Sequence, residues 1–223
     1  MNVIIISDLH IGSEYFLSKD FEGFIENLSE GDELVLNGDI INNPRKKLAP
    51  RHQRMMDLIE QLSYRQRVVW VRGNHDNGYS GRQLGKVSFK RHFNIGRRLM
   101  IAHGDFFDEI MPKCLIFMRV FKFMHDLRVK LGARPVHVAH YAKKWPLLYN
   151  LLRKNVMVNA VNYAIENGYE AVACGHTHFP EDREFKGVRY LNTGTWTEKP
   201  IYCIQVTSNQ ITMKMIEDSN EYR

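Results

Sequence analysis

The sequence contains few cysteines, and none of them belongs to a metal or redox motif. Its 223 residues include three, Cys114, Cys174 and Cys203, which are widely spaced and form no CxxC pair. This excludes a disulfide-stapled scaffold and a thiolate zinc site, and it favours a reducing, cytoplasmic location. The N-terminus lacks the basic flank and the cleavage site of a secretory signal, so we do not expect export.

Long apolar runs and low-complexity tracts are also missing. Lys and Arg interrupt the apolar stretches too often for a transmembrane helix. The composition, 44% hydrophobic and 25% charged, is that of a globular protein. A chain of this size buries roughly 70% of its unfolded surface without needing a disulfide. We therefore expect a single domain over residues 1–223.

Positive charge is concentrated in one segment of the chain. Residues 112–154 contain ten Lys and Arg against one acid, a local balance of +9, whereas the whole chain carries +6. The remainder is thus mildly acidic. A strongly basic segment on an acidic body predicts an anionic partner such as nucleic acid, a phospholipid surface or a phosphorylated ligand.

Five short apolar runs are predicted strands, and each is followed by Asp, Asn or His. They are residues 3–6, 34–36, 68–71, 99–102 and 171–174. Helical periodicity at 19–29 and 51–63 separates the early strands, which predicts an α/β domain. The alternating segments 187–192, 201–207 and 210–217 predict an antiparallel section at the C-terminal end. Ligands of open α/β sheets bind beyond the carboxyl ends of the strands, where the polar residues lie.

The basic segment lies in a predicted helical insert at about residues 106–168. Residues 113–131 are apolar over an unusually wide face, and the remaining stripe is charged. That stripe consists of Arg119, Lys122, Asp126 and Lys130. Breaks at 132–135 and at Pro146 separate two further helical pieces.

Seven residues near the strand ends can bind metal ions through oxygen or imidazole nitrogen. They are Asp8, His10, Asp39, Asn74, His103, His176 and His178. One ion needs about four to six donors, so seven indicate two ions that share a bridging ligand. Asp39 is the candidate bridge, because the two oxygens of a carboxylate can hold cations roughly 3.5–4 Å apart. Mixed N and O ligands favour Mn, Fe or Zn over Mg or Ca.

The spacing within two of the motifs supports this interpretation. Asp8 and His10 are two residues apart, as are His176 and His178. In an extended backbone, side chains two residues apart point to the same side. We therefore expect each pair to face the same metal centre from the end of its strand.

Taken in order, these motifs resemble those of the calcineurin-like metallophosphoesterases, over nearly the whole chain. They read Asp8-x-His10, Gly38-Asp39, Gly73-Asn74-His75-Asp76, His103-Gly104 and Gly175-His176-Thr177-His178. The resemblance implies a four-layer αββα sandwich with a dinuclear metal centre, in which a metal-held hydroxide attacks phosphorus in line. It implies one metal bound by Asp8, His10, Asp39 and His178, and the other by Asp39, Asn74, His103 and His176.

Two residues beside the implied ligands are candidates for catalysis. His75 follows Asn74 without being an implied ligand, so we expect it to stabilise the transition state or protonate the leaving group. Asp76 is the candidate to orient the His75 ring, as carboxylates commonly do for imidazole.

Narrower features resemble the UDP-2,3-diacylglucosamine diphosphatases of lipid A biosynthesis and their relatives. These are His103-Gly104-Asp105-x-x-Asp108, the helical insert, His176-Thr177-His178-x-Pro180 and Asn192-x-Gly194-x-Trp196. The resemblance implies a lipid-linked nucleotide cleaved at its diphosphate to UMP and 2,3-diacylglucosamine 1-phosphate. The insert would be a lid whose apolar residues hold acyl chains and whose cations meet diphosphate or the inner-membrane surface. Candidate substrate contacts are Asp105, Asp108, Arg45, Arg119 and Lys122.

The sequence also allows other substrates and a non-enzymatic role. The chain has His75 where the best-known diphosphatases carry Arg, which suits a related branch acting on another nucleotide, a lipid phosphoester or nucleic acid. The phenylalanines of 113–131 lie off the basic stripe, which argues against nucleic acid because base stacking needs aromatics beside the cations. A non-enzymatic scaffold with this fold would be expected to have lost ligands, yet every implied ligand position is filled.

Overall fold

A computed structural model describes residues 2–79, 84–111, 115–133, 136 and 138–216, without the side chains at 115–119, 121, 122, 126, 138 and 139. The strands are β1 (Val3–Ile6), β2 (Glu33–Asn37), β3 (Val68–Val71), β4 (Ser88–Lys90), β5 (Phe93–Ile95), β6 (Leu99–Ile101), β7 (Ala171–Cys174), β8 (Pro180–Phe185), β9 (Val188–Thr193), β10 (Ile201–Val206) and β11 (Ile211–Ile216). The helices are α1 (Ser18–Glu26), α2 (Pro50–Arg65), α3 (Leu115–Lys130), α4 (Val138–Ala142) and α5 (Pro146–Glu166), and a 3₁₀ turn covers Asp105–Phe107.

The strands form two sheets that pack face to face. The order is β11-β10-β1-β2-β3-β4 in the first sheet and β5-β6-β7-β9-β8 in the second. Buried residues of both sheets form one apolar cluster between them, and α1 and α2 cover the outer face of the first sheet. Helix α5 covers the outer face of the second sheet. The four layers run helix, sheet, sheet, helix, so the predicted αββα sandwich is confirmed.

Burial on both faces explains why the central strands are continuous apolar runs. In β1, Ile4 and Ile6 point toward the helices, while Ile5 between them points toward the second sheet. Trp70 of β3 likewise faces the helices, and Val69 faces the second sheet. Side chains alternate between the faces of a strand, so a strand covered on both sides needs apolar residues at every position.

The C-terminal strands differ from the prediction of one antiparallel section. β9 lies in the second sheet between β7 and β8, whereas β10 and β11 belong to the first sheet. Periodicity also did not indicate β4, β5 or β8. β8 is polar because it is an edge strand with one neighbour, and short β4 and β5 are edges of their sheets as well.

Helices α3–α5 form the insert, which lies between β6 and β7. Five large apolar side chains on α3 and just beyond it are 39–80% exposed, and we call them the α3 apolar face: Val120, Phe123, Met124, Leu127 and Leu131. The side chains of Arg119 and Lys122 lie outside the described residues. Among the helices that the structure describes, none is both long and apolar enough to cross a membrane.

Several basic residues of the insert are paired with acids of the body. Lys143 and His140 both contact the Glu198 carboxylate. The Arg153 guanidinium lies 2.7 Å from a Glu181 oxygen. Part of the local positive charge therefore attaches the insert to the two sheets and is not available to a partner.

Candidate metal centre

The carboxyl ends of β1, β2, β6 and β7 bring five of the seven predicted ligands together: Asp8, His10, Asp39, His103 and His178. His178 Nε2 lies 3.2 Å from Asp8 Oδ1 and 3.0 Å from His10 Nε2. Asp39 Oδ2 lies 3.3 Å from His103 Nε2 and 3.9 Å from His10 Nε2. Donors bound to one ion at about 2.1 Å and at right angles are about 3 Å apart, so this spacing suits shared coordination.

The other two predicted ligands lie next to this group. Asn74 Oδ1 is 3.1 Å from His176 Nδ1, and the His176 ring is 5.4 Å from the His103 ring between centroids. Asp108 Oδ2 lies 2.9 Å from the opposite ring nitrogen, Nε2. A carboxylate on one nitrogen holds the ring so that the other faces a metal. The geometry therefore places His176 Nδ1 and Asn74 Oδ1 side by side as donors.

Buried atoms of the centre fit two cations. The His103 ring is buried, and its Nδ1 donates to the Asn37 carbonyl at 2.9 Å, which directs Nε2 toward Asp39. Within the described chain, that Nε2 makes no hydrogen bond. A buried imidazole nitrogen without a hydrogen bond is costly unless it binds a ligand. The residues present thus suit a dinuclear centre with oxygen and imidazole ligands.

Charges in the centre shift the pKa values of Asp39 and His10 in the directions that metal binding needs, whereas against the effect of burial the Asp39 and Asp8 carboxylates raise the pKa of His103 well above its ordinary value. Burial opposes ionisation of Asp39, but the His103 and His10 rings outweigh it and lower the pKa of this carboxyl. Burial, together with the nearby His178 ring, holds the pKa of His10 well below its ordinary value. An ionised carboxylate and a neutral imidazole are the forms that bind cations.

Five of the ligands have left-handed backbone conformations, contrary to the extended geometry predicted for their pairs. The φ values are 54° for Asp8, 51° for His10, 53° for Asp39, 65° for His176 and 55° for His178. This conformation is uncommon for residues other than glycine and costs roughly 1–2 kcal/mol each. Strain of this kind is typical of functional sites. The paired residues do converge, but through tight turns after the strands.

Glycines make room for the ligands inside these turns. A Cβ atom on Gly175 would lie 2.3 Å from Asp8 Oδ2, and one on Gly73 would lie 2.4 Å from Asp39 Oδ1. Both distances are shorter than any real contact, so a side chain at either position would displace a ligand. The Gly-Asn and Gly-His pairs of the sequence therefore carry a steric signal as well as a chemical one.

The predicted role of Asp76 as the partner of His75 is wrong. Asp76 Oδ1 accepts hydrogen bonds from the backbone N–H groups of Ile40 and Ile41, and Oδ2 accepts them from Gly73 N–H and Trp70 Nε1–H. Burial is the main cause that raises the pKa of Asp76. This carboxylate ties together the loops that carry Asp39 and Asn74.

We expect Asp76→Asn to destabilise the protein by about 2–4 kcal/mol, because the new NH₂ group would face N–H donors and leave them unsatisfied. Urea unfolding measures this free energy. Asp57→Asn is the matched control, since Asp57 is partly buried on α2 and accepts one hydrogen bond, from Gln53. An equal loss in both variants would contradict the structural role assigned to Asp76.

His75 is oriented by a backbone carbonyl instead. Its Nδ1 lies 2.9 Å from the Asn42 oxygen, and its Nε2 lies 3.9 Å from Asp39 Oδ2. The side chain is 41% exposed, so it borders the centre and remains accessible to a substrate. No residue type predicts a carbonyl contact, which is why the sequence does not reveal Asn42 as the orienting residue.

The predicted substrate contacts fall into three groups. Asp108 is wrong as a substrate contact: one oxygen meets His176 and the other accepts from the N–H groups of Ile110 and Met111. Asp105 lines an open cleft beside the centre. Arg45 is exposed in the loop that follows Asn42 and stays a prediction, as do Arg119 and Lys122.

Further residues support the ligands without being ligands themselves. The Ser7 hydroxyl donates to Asp8 Oδ2 and lies 2.7 Å from the Thr193 hydroxyl. Asn192 donates to the Gly175 carbonyl at 2.6 Å and accepts from Gly194 N–H at 2.9 Å. Asn192 and Gly194 belong to a motif already singled out in the sequence, and the structure shows that it holds the turn before His176.

Comparison with known proteins agrees with this geometry. The calcineurin-like phosphoesterase superfamily domain matches residues 1–213. The chain is 25% identical over 272 residues to the DNA polymerase II small subunit of Methanothermobacter thermautotrophicus, covering 98% of this chain and 54% of that protein. It is 33% identical over 86 residues to the metallophosphoesterase YkuE of Bacillus subtilis, covering 38% of this chain and 29% of that protein.

Among solved structures, the phosphoesterase YfcE from E. coli has a TM-score of 0.49 and 14% sequence identity, covering 97% of this chain and 100% of that chain. The chain spans about half the length of the curated polymerase subunits that it matches. The family match extends over both sheets and all seven predicted metal ligands. The chain therefore belongs to the calcineurin-like phosphoesterase superfamily.

Proposed function

We propose that the chain hydrolyses the diphosphate of a lipid-linked nucleotide at the inner-membrane surface. The candidate substrate is UDP-2,3-diacylglucosamine, and the products are UMP and 2,3-diacylglucosamine 1-phosphate. One observation carries the proposal: a helical insert with an exposed apolar face is attached to the segments that hold His10 and His178.

Hydrogen bonds and ion pairs connect the insert to the loops that carry His178 and Asp8. The Tyr149 hydroxyl at the start of α5 donates to the Thr177 carbonyl at 2.6 Å, next to His178. Glu198 contacts Lys143 and His140 of the insert. It lies shortly after Trp196, whose backbone N–H donates to the Asp8 carbonyl at 3.1 Å. The insert is therefore attached beside Asp8 and His178, and we expect a substrate bound along it to lie near these residues.

The α3 apolar face suits acyl chains. Leu131 is 80% exposed and Phe123 is 63% exposed, which is more apolar surface than a helix of a water-soluble body normally leaves uncovered. Lys130 and Lys144 of the insert are exposed as well. Apolar side chains beside cations are typical of segments that contact anionic lipid, so this surface fits both the acyl chains and the membrane around them.

Two cations bound at the centre would lower the pKa of a water molecule and neutralise charge on the phosphoryl oxygens. The chain's own residues supply positioning and proton transfer. With Nδ1–H donated to Asn42, His75 directs Nε2 toward the centre, where an Nε2–H proton can pass to the leaving oxygen as its bond to phosphorus breaks. Asp108 orients the His176 ring, and Asp76 holds the loop that carries Asp39 against the loop that carries Asn74.

The decisive assay compares three substrates on the purified chain with Mn²⁺: UDP-2,3-diacylglucosamine, bis(p-nitrophenyl) phosphate and single-stranded DNA. We expect kcat/KM for the lipid nucleotide to exceed that for the small diester by about 100-fold or more, because remote binding energy lowers the barrier only for the larger substrate. Efficient cleavage of the diester with no UMP release would overturn the proposal.

A variant of the insert tests the role of the α3 apolar face. Leu127→Ser with Leu131→Ser should reduce kcat/KM for the lipid nucleotide at least about tenfold more than for the small diester, since each leucine contributes roughly 1.5–3 kcal/mol when buried by an acyl chain. Met215→Ser is the control, because Met215 is likewise exposed, at 55%, but belongs to β11 and not to the insert. Equal losses on both substrates would mean that the insert is structural.

DNA cleavage is the second candidate function, favoured by the similarity to archaeal DNA polymerase II small subunits over nearly this whole chain. Here the phosphodiester of a strand would take the place of the diphosphate. It predicts that the DNA arm of the assay is the fastest and that its KM rises steeply with salt.

A further inference from the structure

An open cleft of about 750 Å³ lies beside the metal centre, at the ends of β3, β4 and β6. Gly73 forms part of its wall, and a Cβ atom there would lie 2.4 Å from Asp39 Oδ1 and 2.7 Å from His103 Cδ2. The wall of the cleft at Gly73 therefore lies directly against Asp39 and His103 of the centre. Its volume is in the range of small-molecule sites and exceeds the needs of a single phosphate.

Three cations line the cleft, which we call the cationic rim: Arg72, Lys90 and Arg91. Pairing of β3 with β4 brings them together, because Val71 lies opposite Lys90 and Arg72 N–H donates to the Lys90 carbonyl at 2.9 Å. All three are exposed, and none forms an ion pair with any residue the structure describes. One acid, Asp105, lies among them, so the cleft has a net positive charge that suits phosphate.

An aromatic side chain stands at the same opening. Phe106 is 74% exposed although it is packed edge-on against Phe107 and Tyr163, at 5.3 Å and 6.0 Å between ring centroids. Two neighbours thus fix the ring while one face stays in water. A fixed, exposed ring is a stacking surface for a planar base, and such stacking tolerates any base because every base has a π-face.

We infer that this cleft binds the nucleotide half of the substrate, with its phosphate on the cationic rim and its base against Phe106. The identity of the substrate rests on the proposed function, whereas the chemistry of the cleft does not. The cleft also has apolar walls, at Phe89, Met100 and Tyr163, so the charge of the cationic rim is the feature that favours a phosphate there. The Asp105 carboxylate is placed to accept a hydrogen bond from a ribose hydroxyl.

Isothermal titration of the full chain in Mn²⁺ with UMP and with inorganic phosphate tests this inference. Lys90→Glu with Arg91→Glu should weaken binding of both ligands about tenfold or more, because opposite charges become like charges. Phe106→Leu should weaken UMP about fivefold or more but leave phosphate unchanged, since only UMP carries a base. That difference separates stacking from a change in the fold.

Two surface variants away from the cleft serve as controls. Lys214→Glu changes a charge on β11, at the opposite edge of the same sheet, and Tyr64→Leu removes an exposed ring at the end of α2. Neither should change UMP binding. The inference is overturned if UMP binds all variants as it binds the natural chain, or if Phe106→Leu weakens phosphate as much as UMP.

Two further outcomes separate this inference from its alternatives. A thymidine oligonucleotide that binds at least about tenfold tighter than UMP, with strong salt dependence, would assign the cleft to a nucleic-acid strand and overturn the inference. UMP binding that responds to the cleft variants, in a chain that does not cleave UDP-2,3-diacylglucosamine, would support the cleft and overturn only the proposed substrate.

Discussion

Replacing Asp39 with Asn is expected to abolish hydrolysis and to leave fewer than two metal ions bound per chain. Asp39 contacts the predicted ligands of both ions, because Oδ2 is 3.3 Å from His103 Nε2 and 3.9 Å from His10 Nε2. An amide offers one neutral oxygen in place of two charged ones. Since the metals contribute several kcal/mol to transition-state stabilisation, we expect kcat to fall by about 10³-fold or more.

Metal content by mass spectrometry and hydrolysis of bis(p-nitrophenyl) phosphate measure the two effects. Asp57→Asn makes the same chemical change on α2 and should retain two ions and full activity. An Asp39→Asn protein that still binds two ions per chain would contradict the bridging role of this carboxylate, whatever its activity.

Gly38→Ala is expected to unfold the metal centre and to destabilise the chain by more than about 3 kcal/mol. Gly38 has φ of +82°, and a Cβ there would lie 2.3 Å from Cγ and Nδ1 of the His103 ring. The ring is enclosed and donates to the Asn37 carbonyl, so it cannot move aside without losing that hydrogen bond. The losses of stability from backbone strain and from overpacking therefore add up in this variant.

Gly187→Ala separates these two causes. Gly187 has φ of +76°, similar to Gly38, but nothing lies within 4 Å of a Cβ at that position. The Gly187→Ala variant should lose only the roughly 1–2 kcal/mol of stability that backbone strain costs, and it should keep its metal content. Urea unfolding and metal analysis of both variants give the comparison. Similar stability losses, with metal retained in both, would show that contact with His103 is unimportant.

Much of the architecture could be predicted because burial dictates composition. The runs at 3–6, 68–71 and 171–174 are buried on both faces, and apolar, β-branched residues are what such strands need. Helices α1 and α2 each bury one face, so their periodicity is strong. β8 and β4 escaped detection because they are exposed edge strands, whose residues are not selected for burial.

The sequence allowed the convergence of the predicted ligands to be foreseen, but not most of the residues that support them. Asp, Asn and His at strand ends are few and chemically distinctive. The contacts of Asp76 with Trp70 and Ile40 depend on how separate loops meet, and the hold of Asn42 on His75 uses a backbone carbonyl that every residue type possesses. Left-handed backbone at Asp8 and His10 is equally invisible, because the same residues also fit an extended strand.

The insert also bears on how this fold can change its substrate over evolutionary time. It leaves from β6 and returns to β7, which are hydrogen-bonded parallel neighbours. Such a crossover needs only about a dozen residues, and the 21 residues of α5 already exceed that. Helices α3 and α4 are therefore not needed to close the sheet. Natural selection can lengthen, shorten or exchange these two helices while the strand ends that carry the predicted metal ligands keep their positions in the sheets.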